Sequence, residues 1–236
     1  MSLTVAEPMP ATGPVAEPRR LARGIGVLYL LLAVLGMVGP LTVQSLLVPG
    51  DASATAANVA GSSGRFGLAL GAWVTIVVVD VLISVAFYVL LRHVGQGLSM
   101  LTAAFRIVYS VVVAALLVFL FEAGRLLLTG SPSVAEMERA QIALETFSAG
   151  FLVALVFFGV HLVLLSRLLF RSSYVPRALS VLVALAGAGY VFDSLAKLTW
   201  ESYGGALGAI VMVPAIVGEI GLALWLTVRG VRSAAA

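Results

Sequence analysis

Apolar and polar positions are segregated along this chain into long blocks. Six apolar runs, about 24–48, 66–91, 98–128, 147–170, 177–199 and 207–228, are separated by short stretches where Gly, Ser, Arg and acids collect. About 20 consecutive apolar residues cross roughly 30 Å of hydrocarbon as a helix, and each run reaches that length. The predicted fold class is therefore all-α: a polytopic membrane protein built as a six-transmembrane-helix bundle with both termini cytoplasmic. Residues 1–20 are expected to form a disordered cytoplasmic tail, 21–232 the six-helix domain, and 233–236 a short tail. The first segment has several prolines, two Ala-Glu-Pro triplets and no apolar core, so it does not read as a signal peptide. Between the first two runs, the small polar stretch from Val48 to Arg65 predicts a structured loop with a short helix through Ala60, capped by Asp51 or Ser53. Ser133 and Glu136 stand at capping-box spacing, which places helical structure ahead of the fourth run.

Composition removes the soluble alternatives. Of 236 residues, 61% are hydrophobic and 11% charged, with a mean hydropathy of +1.11; soluble domains carry roughly 45–50% and about 25%. The formal charge of +3 would suggest nucleic acid in a soluble chain, but the basic residues sit at span ends, where membrane topology accounts for them. One face collects Arg19, Arg20, Arg23, Arg92, Arg167, Arg171, Arg177, Arg229 and Arg232; the other has Arg65, Arg125, Arg139 and Lys197 with most loop acids. This asymmetry predicts an inner (plasma) membrane protein with the first face cytoplasmic. No nucleic-acid partner is expected, and the bilayer itself is the expected environment. The chain has no cysteine, so disulfides, thiolate metal sites and cysteine nucleophiles are excluded.

Within the apolar runs a few polar residues stand out. Asp80 lies near the middle of the second, where an ionisable group costs at least about 2.5–3.5 kcal/mol, so it should face protein. Ser84 and Tyr88 follow at i+4 and i+8, extending a polar stripe. Arg106 is placed about two turns into the third run, with Tyr109 and Ser110 on nearby faces. His161 lies in the fourth and Glu219 in the sixth. Alternating span directions put Asp80 and Glu219 near the midplane, His161 somewhat inside it and Arg106 in the inner third, so these four form a candidate intramembrane cluster, supported by Ser84, Tyr88 and Tyr109. Arg106 is expected to pair with Asp80 or Glu219. Asp193 and Lys197, four residues apart, predict an ion pair near the outer interface. Gly67/Gly71 and Gly204/Gly208 have the four-residue spacing that permits close helix contact.

Three functional readings stay open. The cluster is a binding or transport path for a small solute or proton, because carboxylates and imidazole change charge readily. Alternatively it is the satisfied polar core of an accessory or structural protein that stabilises a partner complex. The third reading is an intramembrane lipid-modifying enzyme, disfavoured because Ser84, Ser110 and Ser166 lie in no Gly-x-Ser-x-Gly elbow. With one deep histidine and no HExxH or CxxC spacing, no metal and no cofactor are predicted. Arg167, Arg171 and Arg177 are candidate contacts for anionic lipid headgroups, although orientation alone also accounts for them.

The order of fragments carries a family resemblance. RGIGVLYLL from Arg23, VPGDASATAAN from Val48, Asp80 leading into FYVLLRHV, and LTAAFR ending at Arg106 are followed by FFGVHLVLLSRLLFRSSYVPRALSVLVALAGAGY from Phe157 and PAIVGEIGLALWLTVRG from Pro214. In these the chain resembles the bacterial integral-membrane family catalogued as domain of unknown function 4386. The resemblance implies a membrane domain of six spans and carries over no biochemical activity. The chain departs from the pattern at His93, where a proline often follows the arginine, and at Ser166, where glycine is usual.

Overall fold

The computed structural model describes residues 18–231, apart from the side chain of Ala206. The described chain is entirely helical: α1 Pro18–Leu46, α2 Ala52–Gly61, α3 Ser63–Leu91, α4 Gln96–Leu128, α5 Val134–Ser172, α6 Arg177–Thr199 and α7 Gly205–Arg229. All but α2 are long and apolar enough to cross a membrane. Helix α1 already includes Pro18, Arg19 and Arg20, inside the segment expected to be tail. Of the expected tails, residues 1–17 and 233–236 lie outside the described residues, as does Arg232.

Two junctions follow from capping. Asp51 accepts from Ala54 N at 2.9 Å and starts α2; hydrogen bonds from Ala54 and Ser53 hold its carboxyl below the ordinary value. Ser133 and Glu136 form the expected reciprocal box, Glu136 Oε2 accepting from Ser133 N at 2.8 Å. The helix this box starts does not stop before the fourth span. It continues for 39 residues as α5, because no proline interrupts 134–172.

The spans close into a ring in which each packs against two neighbours, in the order α1, α3, α4, α5, α6, α7 and back to α1. Helix α2 caps one end, against α5 and α4. At that end Gln141 Nε2 donates to Val48 O at 3.0 Å, Lys197 pairs with Asp193 at 2.8 Å, and Glu122 receives Arg125 and Arg139 at 2.8 and 3.4 Å. The opposite end joins the start of α1 to the end of α7, with Arg23 Nη2 donating to Val228 O at 3.4 Å. There the α3–α4 turn meets the α5–α6 turn, where Tyr174 OH lies 2.8 Å from His93 Nε2. This second end carries Arg19, Arg20, Arg23, Arg92, Arg167, Arg171, Arg177 and Arg229 and no acidic side chain among the described residues. We call it the basic end, and the other the acidic end.

Outward faces are as apolar as the interior, as lipid contact requires: Val78, Val111 and Ile210 are 55, 61 and 67% exposed. Close backbone approach occurs at glycines other than those expected from spacing. A side chain at Gly67 or Gly71 would meet nothing within 4 Å, because both point outward, and Gly204 is equally open. One tight crossing joins α1 to α7, where a Cβ on Gly26 would sit 2.5 Å from Thr227 N, and another joins α5 to α6. A Cβ on Gly159 would sit 2.6 Å from Gly187 O, and one on Gly187 2.5 Å from Gly159 O, so these helices touch backbone to backbone.

Candidate functional site

Five titratable side chains from five helices stand at one level of the ring. Tyr29 on α1, Asp80 on α3, Arg106 on α4, His161 on α5 and Glu219 on α7 each lie about ten or eleven residues from the basic end of their helix. At about 1.5 Å per residue that is roughly 16 Å from that end of each helix. Helix α4 begins at Gln96, two residues ahead of the expected apolar run. The Arg106 side chain does not reach toward the headgroups but is buried in the ring interior.

Arg106 is fully buried, at 0% exposure, and its guanidinium is bound from three other helices. Nη2 forms a salt bridge with Asp80 Oδ1. Nη1 donates to Tyr29 OH at 2.6 Å and lies 3.2 Å from His161 Nε2. Arginine only donates, so His161 Nε2 must accept. Nδ1 then carries the proton, which it donates to Thr102 O at 2.9 Å. Both ring nitrogens of a neutral imidazole are thus engaged, and the lone pair that would bind a metal is directed at Arg106. The cation also lies 4.9 Å from the Tyr29 ring centroid and 5.2 Å from that of Phe158. Its Nε has no hydrogen-bond partner among the described residues. The inward face of α4 is made by Thr102, Arg106, Tyr109 and Ser110, all buried and continued by Val113 and Leu117 at helical spacing.

Glu219 does not join the pair. It accepts from Tyr190 OH of α6 at 2.7 Å, and both residues are half-buried, although Glu219 lies within the electrostatic reach of Arg106 and Asp80. Of the expected supporting residues, Ser84 is buried but donates to Ala103 O at 2.9 Å, tying α3 to α4. Tyr88 is half-buried, and its carbonyl, not its phenol, is engaged, accepting from Ser99 Oγ at 3.2 Å. Tyr109 is buried against Phe158, ring centroids 5.0 Å apart. Asp193 and Lys197 stand at the acidic end, and Arg167, Arg171 and Arg177 are exposed at the basic end. Tyr29 and Phe158 are not singled out from the sequence, and Tyr190 is visible there only by its spacing to Asp193 and Lys197, not as the partner of Glu219. An aromatic residue in an apolar run gives no signal of its own, and only the shared depth of Tyr29 with Asp80 and Arg106 would have drawn attention to it.

The three serines weighed as nucleophiles are all engaged with backbone carbonyls. Ser84, Ser110 and Ser166 donate to the carbonyls of Ala103, Arg106 and Val163, the usual habit of hydroxyls in membrane helices.

The model of the family described as Domain of unknown function (DUF4386) matches residues 25–230, nearly the whole described chain. An uncharacterized protein of Archaeoglobus fulgidus is 32% identical over 155 residues, covering 66% of this chain and 79% of the relative. No solved structure matches.

Proposed function

We propose that this chain, which belongs to the DUF4386 family and has six helices able to span a membrane, is an accessory or structural protein of a bacterial inner membrane. Its central cluster would hold helices in register instead of passing a solute. The observation that supports this reading is the complete burial of Arg106, with its charge answered by Asp80, Tyr29 and His161. A transport site must open to water on each side in turn, whereas the polar groups around Arg106 face other protein groups. Buried ion pairs add little net stability, and their best-attested use is to specify register. Four helices meet here at one depth.

The reading is tested in proteoliposomes with an entrapped pH-sensitive dye and an imposed proton gradient. Proton leak equal to that of empty vesicles is the expected result. A flux abolished by Asp80→Asn would overturn it.

The second reading, binding or transport of a proton or small solute, is favoured by Glu219. This acid and Tyr190 are only half-buried and lie within the field of the sealed pair. In the same assay, a flux lost in Glu219→Gln and kept in Asp80→Asn would select it. Both termini are placed in the cytoplasm on the Lys/Arg asymmetry. Because the chain lacks cysteine, single cysteines at Ala56 and Ser131 report topology directly: impermeant maleimide should label both in intact cells, and protection of either would reverse the assignment.

A further inference from the structure

At the basic end a cleft of about 350 Å³ opens between α5 and α6. Arg167, Phe170 and Arg171 form one wall, and Ser180, Val181 and Ala184 the other. Arg167 and Arg171 are four residues apart on one helix, where like charges repel. Neither makes an ion pair among the described residues, and no acidic side chain is described at this end. Among the described residues the two cations have no anion.

An independent observation comes from the facing wall. Ser180 is only 2% exposed, and its Oγ has no hydrogen-bond partner among the described residues. A buried hydroxyl in that state is uncommon and calls for a partner. It also lies in the first turns of α6, whose N-cap is Pro176 and whose start has neither a side-chain cap nor an acid. The positive end of the helix dipole is thus uncompensated beside the same cleft. The cleft's rim is apolar and faces away from the bundle: Phe170 and Val181 are 48 and 50% exposed. The Arg177 guanidinium covers the Phe170 ring at 5.6 Å from its centroid.

We propose that this cleft seats the phosphate of an anionic phospholipid. Arg167 and Arg171 contact the phosphate oxygens, the Ser180 hydroxyl donates to one of them, and the acyl chains run along Phe170 and Val181. The apolar, lipid-facing rim favours a membrane lipid over a soluble anion. Arg171 stands one residue before the end of α5 and Arg167 about one turn deeper, which is headgroup depth. The seat is separate from the Arg106 cluster, so its test does not depend on the register reading.

The test is native mass spectrometry of the delipidated full-length protein in detergent, titrated with phosphatidylglycerol or phosphatidylcholine. Phosphatidylglycerol should bind saturably and more tightly. At about 1 kcal/mol per basic residue near an anionic surface, each Arg→Gln change should weaken it about five-fold and the Arg167→Gln/Arg171→Gln pair about twenty-five-fold. Ser180→Ala should weaken it by a smaller factor, and Arg229→Gln should leave it unchanged. Val181→Trp, which fills the cleft without touching a charge, should abolish the tight site even if the double variant folds poorly. Equal affinity for the two lipids, or retention of tight binding in the double and Val181→Trp variants, would overturn the proposal. Thermal protection by inorganic phosphate with the same residue dependence would also overturn it, by assigning the cleft to a soluble anion.

Discussion

Arg106 and Arg171 have the same guanidinium and are treated in opposite ways. Inside the bundle Arg106 is completely buried, and three other helices contribute to it: a carboxylate, a phenol, an imidazole and two aromatic faces. At the basic end Arg171 is exposed beside a second arginine, with no acid described nearby. The difference follows from what surrounds each. Hydrocarbon supplies no counter-charge, so a cation at depth must be satisfied by the protein itself, while a cation at the interface is left to water and headgroups. The buried cluster should therefore be sensitive to every change of partner, and the basic end almost indifferent until lipid is added.

Arg106→Ala should have the largest effect. Removing one member of a buried pair leaves Asp80 without its cation and should cost about 3–5 kcal/mol, read by chemical unfolding in mild detergent. Adding Asp80→Asn should recover part of that loss, whereas strictly additive effects would mean that the two residues are not coupled. Tyr29→Phe removes one hydrogen bond to a charged group and should cost about 1.5–3 kcal/mol by the same measurement. A neutral result would remove α1 from the cluster. At the acidic end, Lys197→Ala breaks a pair whose lysine is 40% exposed but whose acid is buried; because Asp193 keeps its bond from Tyr203 OH, the cost should fall at about 1–2 kcal/mol, between a surface and a buried pair. Without lipid, Arg167→Gln with Arg171→Gln should shift stability by no more than about 0.5 kcal/mol, as surface changes do. A large loss there would show that the protein satisfies these arginines internally and would erase the contrast between the two regions.

Much of this arrangement is legible in the sequence because lipid imposes so strict a code. Run length alone identifies the six spans, and Asp51 and the Ser133/Glu136 box mark two helix starts from local hydrogen-bonding chemistry. Asp80, Arg106 and His161 stand out because charge at that depth is costly. What is not legible depends on rotation and depth of one helix relative to another. The Gly67/Gly71 spacing resembles a packing motif, yet that face looks outward, and a true contact, at Gly159 and Gly187, joins residues far apart in sequence. Tyr29, and Tyr190 as the partner of Glu219, escape notice because a tyrosine in an apolar run looks like any other aromatic until the acceptor or donor opposite it is known. Whether Arg106 snorkels or pairs is open in the sequence and depends on the three helices packed around it.

The tight connection between α3 and α4, with Arg92 to Gly95 between the two helices, bears on how the chain enters the membrane during synthesis. Asp80 and Arg106 lie at matched distances on either side of it, so the two helices can pass from the translocon together as a hairpin with the opposite charges already facing each other. Inserted alone, either helix would carry an unpaired charge costing about 2.5–3.5 kcal/mol on the insertion scale. Tyr29 has been translated by then and can meet Arg106 as the hairpin arrives, whereas His161 emerges later. The cluster is thus expected to assemble in chain order, with the salt bridge before the imidazole. A stall placed after α4 should yield a stably integrated fragment, and one placed between α3 and α4 should not.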